Sequence, residues 1–315
     1  MSRRVSFLKG HGTGNDFIVL PDPDGVLDLQ ESDVRWLCDR HRGLGADGVI
    51  RIAPARLAPD RLAPAHPAPV LSPGKGGHGE GERAGDGEWF MDYRNADGSL
   101  AEMCGNGARV FLRALQATGL LGESDGCVFQ TRGGLRRADL RADGRIAIEM
   151  GRVDESTSST VQVTTEAGSW PARTLHVPNP HAVVILDGIE GVDPGPTVHS
   201  IGMLAMPPEV APRMPDGVNV EFVQRLPDGS VRMRVHERGV GETQACGTGA
   251  CAVAWSIHSR GGTADAGRGS RPHGLAFTIR IHQPGGVVDV ECSDDGLLTL
   301  VGEAQIVAEG TAVLP

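Results

Sequence analysis

The chain has 315 residues, of which 39% are hydrophobic and 22% charged, a composition typical of a folded protein and long enough for two domains. Its 30 basic and 40 acidic side chains leave a formal charge of −10 with no dense basic run, so nucleic acid is not an expected partner. No stretch reaches the roughly 18 apolar residues of a membrane span, and the first residues lack the apolar core of a signal peptide. We therefore expect a cytoplasmic protein, with no membrane partner, whose cysteines are reduced.

In chain order, the hydrophobic pattern alternates between strands and helices. β-Branched and aromatic runs predict strands at residues 5–8, 17–20, 48–52, 89–93, 182–186, 218–224, 231–237 and 287–291. Apolar spacing of three to four residues predicts helices at residues 32–40, 107–116 and 249–258, with Ser32 as the N-cap of the first. The Asp-Gly-Ser sequence at residues 228–230 predicts a hairpin turn between two of the strands.

Residues 53–88 differ in composition from the rest of the chain. Proline, glycine and alanine make up 20 of these 36 residues, and no helical or strand period runs through them. Such a composition is typical of a mobile surface insertion, because it offers too little apolar surface to offset the entropy of ordering. We expect a passive loop.

The cysteines and lysines restrict the chemistry that the chain can perform. Cys104 and Cys246 each lie in a Cys-Gly-x-Gly turn before a predicted helix, whereas the other four cysteines are expected to be small buried hydrophobes. No pair has Cys-x-x-Cys spacing, so no metal site is predicted. The two lysines, Lys9 and Lys75, lie near the N-terminus and in the low-complexity segment, where no pyridoxal phosphate pocket is expected.

The two cysteine turns belong to a weak internal repeat. Asn95 precedes Cys104 at the same spacing at which Glu237 precedes Cys246, and in both cases a predicted strand leads into the spacer. A further echo, upstream of each cysteine, pairs the asparagine of residues 14–17 with that of residues 178–181. The order and spacing of these landmarks predict two domains of similar topology, the first carrying the insertion.

A strand, a Cys-Gly-x-Gly turn and a helix form a recognisable chemical unit. Glycine lets a ligand approach the backbone, and the free N–H groups of the helix start attract anions such as a carboxylate. A thiol placed there is expected to have a lowered pKa. Two such turns facing one α-carbon could remove a proton from one side and return one to the other, without a cofactor. Taken singly, each turn could equally be structural or hold an acyl-transfer nucleophile.

Several longer motifs carry a resemblance to a known family, diaminopimelate epimerase. The segments that resemble it occur in the family's order and span nearly the whole chain outside the insertion. They are residues 12–17 (GTGNDF), 39–48 (DRHRGLGADG), 95–99 (NADGS), 103–109 (MCGNGAR), 179–181 (NPH), 217–220 (GVNV), 237–243 (ERGVGET) and 245–249 (ACGTG).

The resemblance implies both an activity and a fold. The activity would be cofactor-independent epimerisation of LL-2,6-diaminopimelate to the meso isomer, in lysine and peptidoglycan precursor synthesis. The fold would be of the α/β (α+β) class, with two pseudo-symmetric domains, each a mixed, mostly antiparallel sheet curled around a central helix. Residues 1–150 with 301–315 would form one domain and residues 151–300 the other, and a C-terminal strand near residues 303–308 would close the first. A homodimer is also implied.

The resemblance assigns roles residue by residue. Cys104 and Cys246 would be the catalytic acid and base, with His181 and Glu237 tuning thiol protonation. The residues implied in substrate binding hold the distal amino acid centre or donate N–H groups to the reacting carboxylate. They are Asn15, Asn95, Gly105, Asn106, Asn179, Asn219, Glu237, Arg238, Gly247 and Thr248.

The sequence leaves two alternatives open and argues against a third. A racemase or epimerase of proline-like amino acids also uses paired cysteines, but the asparagine set and the segment at residues 237–239 favour a longer substrate with two amino acid centres. A related class of isomerases lacks the cysteines, which are both present here. A catalytically inactive binding protein of the same fold is the alternative outside enzymes.

Overall fold

The structure is a computed structural model that describes residues 3–59, 87–189, 195–204, 206–260 and 276–315. The described helices are Glu31–Cys38 (α1), Gly105–Ala117 (α2) and Gly247–Arg260 (α3), and a short 3₁₀ turn spans Ala55–Leu57. The described strands, in chain order, are Arg3–Gly12 (β1), Asn15–Pro21 (β2), Gly48–Pro54 (β3), Trp89–Asn95 (β4), Gly126–Thr131 (β5), Gly134–Leu140 (β6), Ile146–Gly151 (β7), Thr160–Thr165 (β8), Gly168–His176 (β9), Pro180–Ile189 (β10), Glu209–Ala211 (β11), Asn219–Arg225 (β12), Val231–Glu237 (β13), Gly241–Thr243 (β14), Phe277–Gln283 (β15), Gly286–Cys292 (β16), Leu298–Gly302 (β17) and Gln305–Leu314 (β18).

The chain divides into two compact units, residues 1–149 with 302–315 and residues 150–301. In the first unit the strands lie side by side in the order β18, β1, β2, β3, β4, β5, β6, β7. The β2–β3 and β4–β5 pairs are parallel and the others antiparallel. The C-terminal strand thus pairs with β1, as the resemblance implied, although it extends to Leu314.

The second unit repeats this pattern. Its strands lie in the order β11, β8, β9, β10, β12, β13, β15, β16, and β14 adds to β13. The parallel pairs are β10–β12 and β13–β15, which correspond to β2–β3 and β4–β5 of the first unit. The predicted pseudo-symmetric α+β fold is therefore confirmed, and the two units also share the order of their parallel and antiparallel pairs.

One helix forms the centre of each unit. In α2, ten of the residues from Gly105 to Leu115 are buried, and the helix packs against β1, β2, β3 and β18. In α3, the residues from Ala250 to Trp255 are buried, and the helix packs against β9, β10, β12, β15 and β16. A helix enclosed by a sheet is buried on most of its faces and is expected to be largely apolar around its circumference. The run of small apolar residues in α3, with alanine at 250, 252 and 254, fits this position.

All eight predicted strands and three predicted helices are present, with ends that differ by a few residues. The prediction missed the strands β5 to β9, which have six to nine residues, although β8 (TVQVTT) has the β-branched alternation typical of a strand. The hairpin at residues 228–230 joins β12 and β13 as predicted, with Gly229 in the left-handed region.

Two local predictions were wrong. Ser32 does not cap α1; Gln30 does, and a capping box ties its backbone N–H to the Asp33 carboxylate. Ser32 already lies inside the first turn, where its side chain cannot reach back to the free N–H groups. The predicted insertion of residues 53–88 begins too early, because Ala53 and Pro54 are the last residues of β3 and a 3₁₀ turn follows them. Residues 60–86 of that segment lie outside the described residues.

No helix in the described ranges is long and apolar enough to cross a membrane.

Candidate active site

In the first unit, Cys104 is the N-cap of α2. Its sulfur accepts a hydrogen bond from the backbone N–H of Gly107 at 3.4 Å, in place of the hydroxyl or carboxylate that usually caps a helix. The thiol is partly exposed and faces the Asn15 side-chain oxygen at 3.7 Å. The sequence-predicted residues Asn15, Cys104 and Asn106 therefore meet at one helix start, where partial positive charge collects.

An ionic network holds Asn15 in place. The Asn15 amide donates to Asp47 at 2.7 Å, and Arg40 bridges Asp47 and Asp16 at 2.8 Å each. Burial opposes ionisation of Asp16, but hydrogen bonds from Arg40 and Lys9 outweigh it and lower the pKa of Asp16 to about 2. Asp16 is thus charged at neutral pH, and the network fixes Asn15 through its amide N–H group, while its oxygen faces Cys104.

A buried arginine supports the same turn from behind. Arg109 is fully buried, and its guanidinium donates to the Thr13 hydroxyl and, at 2.8 Å, to the Asn106 side-chain oxygen. Thr13 has a φ of 54°, which is a strained conformation for a β-branched residue. Such strain persists only where the surroundings over-determine it. The Arg109 contacts supply that constraint and set the path of the chain into Asn15.

Asn95 lies at the end of β4, apart from this hydrogen-bond group. Its side chain accepts from the Tyr93 hydroxyl at 3.0 Å and donates to the Ser99 hydroxyl at 2.9 Å. The oxygen and the NH₂ group of the Asn95 side chain are therefore both hydrogen-bonded at the turn that begins there, as is common for asparagine in turns that contain glycine.

In the second unit, Cys246 repeats the position of Cys104. Its sulfur accepts from the backbone N–H of Gly249 at 3.3 Å and lies 3.4 Å from the Thr248 hydroxyl. Its own N–H donates to the Gln283 side chain at 2.8 Å. The helix begins at Gly247, so the backbone N–H groups of Gly247 and Thr248 belong to its first turn, where N–H groups have no partner within the helix.

The expectation of a lowered thiol pKa is wrong for Cys246. Burial raises its pKa well above the ordinary value, and the charges of Glu237 and Glu221 raise it further. The hydrogen bonds from Thr248 and Gly249 act in the opposite direction but are outweighed. The helix-terminus effect is modest, whereas removing a thiolate from water is costly, so Cys246 carries its proton at neutral pH in the ligand-free protein.

Glu237 lies against the Cys246 thiol. Burial raises the pKa of Glu237, the Thr243 hydroxyl donates to it at 2.5 Å, and the nearby charge of Glu221 raises its pKa again. Glu237 also hydrogen-bonds to Cys246. A carboxyl group with a raised pKa in contact with a thiol is suited to exchanging a proton with it.

His181 lies between an asparagine and a buried glutamate. Its Nδ1 atom is 2.6 Å from the Glu221 Oε1 atom, and its Nε2 atom is 3.1 Å from the Asn179 Oδ1 atom. His181 and Glu221 are both fully buried. His181 on β10 lies opposite Asn219 on the parallel strand β12, so the His181 and Asn219 side chains lie on the same face of the sheet. Glu221 is two residues after Asn219 and lies on that face as well.

Asn219 and Arg238 are joined to each other. The Asn219 side-chain oxygen accepts from the backbone N–H of Arg238 at 2.9 Å. The exposed Arg238 guanidinium donates to the Asp216 carbonyl at 2.5 Å. The structure thus groups Asn179, His181, Glu237 and Cys246 around α3, with the Asn219–Arg238 pair at the ends of the neighbouring strands.

Five residues that contact the two groups were not predicted from the sequence. Thr13 and Asp47 lie in the family-like segments at residues 12–17 and 39–48, but the sequence assigned them no role. Arg109 follows Cys104 by about one helical turn. Glu221 alternates with Asn219 along β12, which places both on one face, and this was the available signal. Gln283 lies far along the chain and carried no sequence signal. They are Thr13, Asp47, Arg109, Glu221 and Gln283.

The described part of the chain contains no group of three or more His, Cys, Asp or Glu side chains arranged to hold a metal ion. Lys9, the lysine within the described ranges, is engaged with Asp16 at 2.6 Å.

Solved structures share the fold at low sequence identity. A hydroxyproline epimerase from Agrobacterium vitis matches with a TM-score of 0.60 and 17% identity, over 99% of this chain and 93% of that one. A phenazine biosynthesis protein of the PhzF family from Bacillus anthracis matches with a TM-score of 0.61 and 15% identity, over 98% and 99%. The chain thus has the fold of a class that includes amino acid epimerases.

Sequence comparison narrows the class to one family. The family model for diaminopimelate epimerase matches residues 7–155 and 173–307. The diaminopimelate epimerase of Streptomyces coelicolor is 43% identical over 98% of this chain and 96% of its own length, and that of Corynebacterium glutamicum is 38% identical over 98% and 99%. The chain belongs to the diaminopimelate epimerase family.

Proposed function

We propose that this protein is an isomerase that interconverts LL- and meso-2,6-diaminopimelate without a cofactor, in the synthesis of lysine and peptidoglycan precursors. The observation that carries the proposal is the duplicated cap, in which Cys104 and Cys246 each accept a backbone N–H at the start of a buried helix. Family membership over nearly the whole chain supports diaminopimelate as the substrate.

The two cysteines would divide the proton transfer. Because Cys246 carries its proton in the ligand-free protein, it is suited to donate to the α-carbon, while Cys104 removes the proton of the other face. The reverse reaction exchanges the two roles. The Cα–H bond breaks toward one sulfur and a new one forms from the other, so the stereocentre inverts and the number of protons is unchanged.

The helix starts would stabilise the carbanion formed between these steps. Charge moving onto the substrate carboxylate would meet N–H groups of Gly105 and Asn106 on one helix and of Gly247 and Thr248 on the other. Glu237 and His181 would supply and accept protons around Cys246. Both helix starts carry a net positive partial charge, which favours the carboxylate more strongly as its charge increases.

The remaining polar residues would bind the distal amino acid centre. Amide oxygens accept from the ammonium group, amide N–H groups donate to the carboxylate, and one guanidinium completes recognition. The residues proposed for this task are Asn15, Asn95, Asn179, Asn219 and Arg238. A proline-like substrate has no second amino acid centre and would form none of these additional contacts, so it would bind less tightly.

Proton NMR in deuterium oxide tests the proposal directly. Purified protein with LL-diaminopimelate and a thiol reductant, with no cofactor added, should wash out the α-proton signal while the meso isomer appears. Proline and hydroxyproline under the same conditions should show no exchange. Exchange of proline alone, or no exchange of any of the three, would overturn the assignment.

Matched cysteine variants test the two-base scheme. Cys104→Ser and Cys246→Ser keep an oxygen that can cap the helix but lose the thiol, so both should reduce turnover by about 10³-fold or more while retaining the fold. Cys251→Ala, on the same helix as Cys246, should retain turnover. Activity within about tenfold of wild type in either serine variant would contradict the scheme.

We also propose that the protein works as a homodimer in the cytoplasm, as the family resemblance implies. Light scattering on the purified chain should give twice the chain mass at micromolar concentration, and cell fractionation should place it with cytosolic markers. A monomer across the tested concentrations would contradict the dimer.

A further inference from the structure

The buried pair of His181 and Glu221 has no part in the scheme above beyond the tuning role of His181. Both side chains are fully buried, and their contact of 2.6 Å is short for a nitrogen–oxygen hydrogen bond. The second Glu221 oxygen, Oε2, has no hydrogen-bond partner among the described residues. Replacing such a buried pair with apolar residues is often neutral for stability, so a specific geometric task is the better explanation.

The neighbours of the pair define its protonation. Each ring nitrogen of His181 faces an acceptor oxygen, Glu221 Oε1 on one side and Asn179 Oδ1 on the other. A neutral imidazole has one N–H and would satisfy only one of these contacts as donor, whereas the imidazolium satisfies both. With Asn179 Oδ1 as the acceptor, Nε2 is the donor of that contact, and a second proton lies between Nδ1 and Glu221.

The position of Glu221 decides where the shared proton resides. A Cβ atom placed on Gly249, in the first turn of α3, would lie 2.8 Å from Glu221 Oε1. The carboxylate thus sits against the N-terminal turn of a helix, whose partial positive charge stabilises an anion. An ionised Glu221 leaves the shared proton on His181.

We propose, on the basis of the proposed function, that Glu221 is a positioning residue that holds His181 as a buried imidazolium near Glu237, the carboxyl group that contacts Cys246. The groups that face this pair are Glu237 from β13, Cys246 from the start of α3 and Asn179 from the turn before β10. With His181 positive, the cluster has one fixed cation next to two carboxyl groups and a thiol. That cation offsets the negative charge that appears when Cys246 releases its proton during turnover.

Nitrogen NMR of the ligand-free protein tests the charge state without any assay of activity. In histidine-labelled wild type at neutral pH, both ring nitrogens of His181 should show protonated chemical shifts, assigned by their absence in His181→Asn. Glu221→Gln keeps an oxygen acceptor of the same shape but no charge, so one ring nitrogen of His181 should become unprotonated. Glu155→Gln, which alters a carboxylate of the same unit bonded to Arg173 and Trp255, should leave the His181 signals unchanged.

Kinetics test whether the charge matters for turnover. Glu221→Gln should lower kcat by about 10- to 100-fold, the range observed for the outer partners of metal-bound histidines, with little change in KM. A wild-type His181 with one unprotonated nitrogen would overturn the inference, as would a Glu221→Gln protein with unchanged His181 shifts or unchanged kcat. Failure of the proposed function would look different, since the wild type would then have the protonated His181 signals but no turnover of diaminopimelate.

Discussion

At the scale of single residues, the two cysteines have the same backbone contact but different surroundings. Cys104 is partly exposed beside the neutral amide of Asn15, whereas Cys246 is buried beside Glu237 and close to Glu221. At Cys246 burial and the nearby carboxyl groups outweigh the helix dipole, because the charge of a thiolate is costly where water is excluded. The duplicated motif predicts two similar thiols, but burial and the nearby carboxyl groups make Cys246 hold its proton more tightly than an ordinary thiol.

The raised pKa of Cys246 predicts how its alkylation depends on pH. Thiolate is the reactive form, so alkylation of Cys246 by iodoacetamide should be slow at neutral pH and rise steadily beyond pH 9. Glu237→Gln removes a negative neighbour, which lowers the thiol pKa, and should accelerate the reaction at a fixed pH of about 8. Peptide mass spectrometry would measure this, with the fully buried Cys251 as a monitor of unfolding. Unchanged or slower alkylation in Glu237→Gln would contradict the assigned charge effect.

At the scale of elements, the site is built from two copies of a strand, a cysteine turn and a central helix. The two turns differ in how much space they leave for a side chain on their second glycine. A Cβ on Gly107 would meet the terminal methyl groups of Met91 and Ile50 at 3.1 and 3.2 Å. A Cβ on Gly249 would meet Glu221 Oε1 at 2.8 Å and Cys246 Sγ at 3.3 Å. Methyl ends can rotate aside, whereas Glu221 is held by its contact with His181.

A matched pair of alanine variants follows from this difference. Gly249→Ala should displace Glu221, lower turnover by roughly tenfold or more and cost about 1–3 kcal/mol of unfolding free energy. Gly107→Ala should change both quantities less. Steady-state kinetics and urea unfolding would measure them, and a larger effect in Gly107→Ala would refute this account of the two turns.

The C-terminal strand β18 offers a second matched pair. Leu314 is fully buried among Ile18, Val34 and Leu37, whereas its neighbour Val313 is 42% exposed. Leu314→Ala should cost about 2–4 kcal/mol of unfolding free energy and Val313→Ala about 0.5 kcal/mol or less. Thermal or urea unfolding of both variants would test whether β18 completes the first unit, since equal effects would mean that it does not.

At the scale of the whole molecule, the chain is a duplicated unit with one large insertion between β3 and β4. These two strands are antiparallel neighbours with Pro54 opposite Trp89, and the Ala55 N–H donates to the Glu88 carbonyl at 2.8 Å. The ends of the insertion are thus already joined by the sheet, in the manner of an ordinary hairpin. The described frame does not depend on the insertion to bring its ends together.

Removing the insertion should therefore leave the enzyme working. A variant that joins Ala55 to Glu88 through a short Gly-Asn turn should retain kcat/KM and melting temperature, with turnover within about twofold of wild type, because surface loop length has a weak effect on stability. Steady-state kinetics and calorimetry would measure both. A large loss of turnover with an intact fold would contradict the hypothesis of a passive loop.

Much of this architecture is readable from the sequence. The period of the apolar residues located the main strands and helices, and the paired Cys-Gly-x-Gly turns indicated two like units. The resemblance implied that Glu237 tunes the protonation of a catalytic thiol, and in the structure Glu237 hydrogen-bonds to Cys246. These features depend on residue type and spacing over one or two turns of chain, which a linear sequence records directly.

What only the tertiary structure decided is the electrostatic character of the site. Glu221 and Gln283 reach Cys246 from strands that are distant in sequence, and burial removes the water that would otherwise screen them. Local motifs alone therefore predicted a lowered pKa for Cys246, where the folded protein raises it. Sequence determined which groups could react, and packing determined which of them holds the proton, because the free energy of a charge depends on all its neighbours in space.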